Sequence, residues 1–152
     1  MPCHPGWGHN TSNFLDPLTV IREIHTHMYS QVQNIEFLIN QLDYLIQRLN
    51  STAISDQRVD EEAQEIEAYA LMSLIESKLA DHKEDLEKVN VEHVAGLLVV
   101  LGGERGEAEN RVRRVVEEYK DVWREQSHSM KQARGSMDIC REYREAKDPV
   151  KD

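Results

Sequence analysis

Seven histidines, two cysteines and twenty-eight acidic residues are the side chains of this 152-residue chain whose types suit chemistry. Histidine with carboxylate suggests a bound metal first. Helical bundles that hold two metal ions use a Glu-x-x-His step on each of two helices, with a further Glu from each of the other two. Glu125 and His128 show that step, and no second copy of it exists. His25, His82, His93 and His128 remain as side chains able to converge on one ion, but a solitary histidine on a helix face is as a rule a packed or surface residue. No cofactor is therefore expected, and a metal held through histidines is the alternative. A second metal idea lies at the start of the chain. Without Met1, Pro2-Cys3-His4 offers an amine, a thiol and an imidazole to copper or nickel, with His9 nearby, but nothing around them fixes their geometry.

Covalent catalysis needs a nucleophile, a base and an orienting group in a rigid site. Cys140 falls on an apolar helix face, where a small packing residue is the plainer reading. The chain has no Gly-x-Ser-x-Gly turn, no Cys-x-x-Cys pair and no phosphate loop, and Gly102-Gly103-Glu104-Arg105-Gly106 reads as a turn between helices. An enzyme is not expected. Polar residues inside apolar stripes are more informative: Gln31 and Gln126 occupy equivalent core positions in the first and last helices. A buried amide costs stability unless paired, and it can fix register or choice of partner. These two glutamines are expected to select one alignment of the bundle, so that Gln31→Leu raises stability while broadening the oligomer distribution. Arg111, Arg113 and Arg114 form the basic cluster. They face solvent or the acidic strip, or else dock an acidic partner or a phosphate. Trp7 and Phe14 are aromatic in an otherwise polar leader and are candidate contacts with the bundle or with a partner.

The elements that carry these residues are helices. The positions Ile21, Ile24, Met28, Gln31, Ile35, Leu38, Leu42, Leu45 and Leu49 recur in steps of three and four, widened by Val32, Ile39 and Ile46. That stripe is too broad for a two-stranded seam and fits a multi-helix bundle. Asp16-Pro17 starts the helix, Asp as cap and Pro in the first turn. A second helix begins near Gln57 or Arg58, capped by Ser55 or Asp56. Its expected core face is Ala63, Ile66, Ala70, Leu71, Leu74, Ile75, Leu79, His82, Leu86 and Val89, with Glu61, Glu65, Glu76, Lys83 and Glu87 on the solvated side. Asn90 caps a short helix or sits within a continuing one. Val91 to Leu101 is apolar around most of its circumference and is expected to be the most buried stretch, ended by Gly102-Gly103. The last helix carries Ala108, Val112, Val115, Tyr119, Val122, Gln126, Met130, Ala133, Met137 and Cys140, read as one helix to about Arg144 with a bend at Gly135, a stop at Gly135 being the alternative.

The expected fold is all-α: an elongated antiparallel bundle of three long helices, with residues 91–101 as a short fourth buried helix. Residues 1–15 form a flexible leader, 16–147 the bundle and 148–152 a tail. Net charge is −10, and from Ile54 to Glu92 twelve acidic residues face four basic ones, which argues against nucleic acid. Two cysteines and no secretory pattern point to a reduced intracellular, cytoplasmic setting. The longest apolar run is too short to span a bilayer. The function expected is that of a non-catalytic interaction or assembly module, with a protein partner or a second copy of itself as a homo-oligomer. The alternative is a bundle that encloses a metal or an apolar molecule.

Overall fold

Asp16 fixes where the first helix starts. Its carboxylate accepts from the Thr19 backbone N–H at 3.0 Å and from the Thr19 hydroxyl at 2.6 Å, so an otherwise orphaned first-turn donor is satisfied. Those bonds hold the Asp16 carboxyl below its usual range, the Thr19 hydroxyl contributing most. The computed structural model describes residues 16–52 and 58–147 and contains α1 (Pro17–Thr52), α2 (Arg58–Glu87), α3 (Val91–Val100) and α4 (Arg105–Lys147). The fold is all-α, with no strand among the described residues. The leader with Trp7 and Phe14, the cap candidates Ser55 and Asp56, and the tail lie outside the described residues.

The helix ends follow from local chemistry. The Asn90 side chain accepts from the His93 backbone N–H at 3.0 Å, so the chain breaks there and α3 is a separate short helix. At its other end Gly102 has φ 107, its N–H reaches Val99 O at 2.9 Å, and the Gly103 N–H reaches Leu98 O at 3.0 Å. This pairing closes the helix with a Schellman turn. Glu104 then caps α4 by accepting from the backbone N–H groups of Glu107 and Gly106, which lowers its carboxyl pKa, the bond from Glu107 most. α4 runs without a break through Gly135.

The chain divides into two compact units. The first contains Ala80–Arg124 and the described part of Met1–Gln33. Its core joins α1, α3 and α4 through Val20, Ile24, Val94, Ala95, Ala108 and Val112, with Val89, Leu98 and Val116 packed against it. α1 and α2 run antiparallel here, His27 meeting Asp85 and Gln31 meeting His82. α3 is less buried than the sequence suggests. Val94 and Ala95 are buried, but Val100 is 72% exposed and Leu101 is exposed as well. A helix of ten residues laid on one side of a core can bury one face, however apolar the rest.

The second unit contains Asn34–Leu79 and the described part of Glu125–Asp152. Ile35, Ile39, Leu42, Ile46 and Leu49 of α1 are buried, as are Ala68, Met72, Ile75 and Leu79 of α2 and Met130, Ala133 and Met137 of α4. Each large side chain so buried contributes on the order of 1.5–3 kcal/mol against exposure. Here α4 lies antiparallel to α2, Arg134 meeting Glu76 and Arg144 meeting Glu65. It runs parallel to α1, where Gln126 meets Glu36 and Cys140 meets Asn50. Within this unit the long helices α1, α2 and α4 therefore run up, down and up.

The N-terminal half of α2 is turned from its expected setting, whereas Ile75, Leu79, His82 and Leu86 are buried as expected. The buried line of α2 is Ala68, Met72, Ile75, Leu79, His82 and Leu86, while Ala63, Ile66, Ala70 and Leu74 are exposed. The reason lies in the N-terminal half of α2, which carries two apolar lines at helical spacing, and Ala68 with Met72 takes the inside. Glu61, assigned to the solvated face, is buried on that inner side.

Candidate functional site

Gln31 occupies the centre of a polar network inside the first unit. Its amide oxygen accepts from His82 Nδ1 at 2.6 Å and its amide nitrogen donates to Asp85 Oδ2 at 2.7 Å. The same carboxylate oxygen receives His27 Nε2 at 2.8 Å. Because the Gln31 oxygen has no proton to give, His82 must carry its proton on Nδ1. Burial pushes the His82 pKa below its ordinary 6.5, with Asp85 opposing and His27 adding to the fall. His82 Nε2 is buried without a hydrogen-bond partner, and its ring stands edge-on to Tyr119 at 6.4 Å. A leucine at 31 would leave the His82 Nδ1 proton and one Asp85 bond unmade, so the gain in stability expected of Gln31→Leu does not follow from this packing.

Gln126 lies in the second unit, buried, and donates to Glu36 Oε2 at 3.3 Å. Each glutamine therefore finds a partner within its own unit. The described histidines do not gather as a ligand set. The Tyr119 hydroxyl and His25 Nδ1 share a bond of 3.0 Å, His93 sits on α3, and His128 belongs to the second unit. Among the described residues no group of three or more His, Cys, Asp or Glu side chains is placed to hold a metal ion. Cys140 is half-buried, its thiol 2.6 Å from Asn50 Oδ1. Burial pushes that thiol upward, Arg144 pulling against it, which keeps it protonated and a poor nucleophile. The basic cluster splits: Arg113 pairs with Glu109 on its own helix, whereas Arg111 and Arg114 form no ion pair among the described residues. Arg111 lines an apolar pocket.

The second unit exposes a continuous apolar line. Ile66 is 71% and Leu74 45% exposed, with Ala70 open to solvent between them. Beside them, Tyr44, Leu45, Ala70, Leu71 and Leu74 line a groove of about 520 Å³ between α1 and α2, with Arg48 and Glu67 among its polar residues. Phe37 and Tyr44, one α1 face apart by two turns, are exposed too. Sequence reasoning named Ile66, Ala70 and Leu74 as core and did not single out Phe37 or Tyr44. The signal was present as a second apolar line, in a helix able to bury one.

Comparison of the chain with known protein families, with characterised proteins and with solved structures finds no match.

Proposed function

We propose that this protein is a non-catalytic interaction module that self-associates through the exposed face of α2 in its second unit. The observation that carries this reading is the line Ile66, Ala70, Leu74, apolar and solvent-facing on a helix whose other apolar face is already filled. Contiguous exposed apolar surface marks interaction sites when it is extensive, as the line and the groove beside it together suggest here. Its spacing is also self-complementary. With a two-fold axis at Ala70, two α2 helices crossing antiparallel place Ile66 of one copy opposite Leu74 of the other, and the small alanines allow close approach. The same operation sets Glu62 against Lys78, opposite in charge and each eight residues from the axis. Tyr44, which shares a groove with Ala70 and Leu74, widens the surface toward the roughly 800 Å² per partner that lasting dimers bury.

Light scattering on the purified full-length chain is the test. A dimer is expected, and Ile66→Glu with Leu74→Glu should return it to monomer while the helical circular dichroism is unchanged. A monomer at tens of micromolar, or a dimer indifferent to the two substitutions, overturns the proposal.

A further inference from the structure

The first unit holds a pocket of about 280 Å³ to which all four helices contribute. Ile24, Met28, Leu86, Val94, Leu98 and Val112 are among its ten apolar lining residues, and its polar lining is restricted to His25, Arg111 and Tyr119. A pocket lined almost wholly by apolar side chains takes apolar solutes, because removing both surfaces from water is favourable. The volume is on the small side for a ligand pocket. A volume of that size suits a single hydrocarbon chain.

Arg111 decides what such a chain should carry at its end. Arg105 and Arg113, on the same helix, both approach Glu109, but Arg111 makes no ion pair or hydrogen bond among the described residues. A guanidinium left open on an apolar wall presents a planar fork that matches a carboxylate. Tyr119, whose phenol burial holds above its ordinary pKa, stays a hydroxyl and adds a second polar group, steadied by His25 Nδ1 at 3.0 Å. We infer that this pocket binds a single medium-length apolar chain that ends in a carboxylate, the chain among Ile24, Met28, Leu98 and Val112 and the head on Arg111. This site lies in the first unit, apart from the residues that carry the proposed self-association, so either proposal can fail alone.

Calorimetric titration of the full-length protein with decanoate, with decanol as the uncharged comparison, tests the inference. Decanoate should bind one per chain and about tenfold more tightly than decanol. Arg111→Gln, a substitution at an exposed position, should lower decanoate affinity to about that of decanol. Absence of binding by both compounds overturns the proposal. So does equal binding of the two by the unaltered protein, or decanoate binding that Arg111→Gln leaves intact. Light scattering on the same samples reports self-association separately.

Discussion

His82 is fully buried, and the groups that face it are Gln31, Asp85, His27 and the ring of Tyr119. Since burial holds its pKa below 6.5, the folded protein keeps it neutral where the unfolded chain begins to take up a proton. The unfolded state then binds more protons, so the stability this residue contributes is complete above about pH 6.5 and is lost as pH falls toward the depressed value. Thermal melts between about pH 7.5 and about pH 5.5 should show the unaltered protein losing more stability than His82→Gln. Parallel curves would remove His82 as the cause. Gln31 and His82 were both legible in the sequence, each a polar residue on an apolar line. Their partnership was not, because the α1–α2 register that brings positions 31, 82 and 85 together is set by packing across many residues. Asp85, one turn beyond His82, was the clue within reach: an acid that close to a core histidine often serves it.

Elements were the most legible level. Asp16, Asn90 and Gly102 bound their helices as capping chemistry predicts. Gly102, just before α4, and Gly135, within it, have opposite expected roles. Gly102, at φ 107, adopts a backbone conformation that a Cβ opposes, so Gly102→Ala should cost about 1–2 kcal/mol. Gly135 lies inside α4 with nothing near the position of a Cβ, and Gly135→Ala should add about 0.5–1 kcal/mol. At this chain length each kcal/mol moves the melting temperature by about 2–4 °C, a shift that differential scanning calorimetry resolves. Shifts of the same sign in both variants would contradict this account. The face of α2 was less legible than its ends. Periodicity marks which positions are apolar, but two apolar lines on one helix compete for one interior, and only the shapes of the facing α1 and α4 side chains choose between them.

For the whole molecule the deciding quantity is charge. Each copy carries −10, and α2, through which association is proposed, contributes much of the acid. Two such copies repel over the range of the Debye length, about 10 Å at 0.1 M salt and about 30 Å at 0.01 M. The Glu62–Lys78 pairs across the proposed axis act in the other direction, but exposed pairs are worth about 0–1 kcal/mol each and are screened as well. The apolar contact among Ile66, Ala70 and Leu74 is insensitive to moderate salt. Raising salt from about 0.02 M to about 0.3 M removes more repulsion than attraction, so self-association should tighten. Sedimentation equilibrium across that range measures it directly. Weakening with salt would mean that ion pairs dominate the contact, and would move the interface away from the apolar line of α2 toward a surface where acidic and basic residues alternate, such as α4.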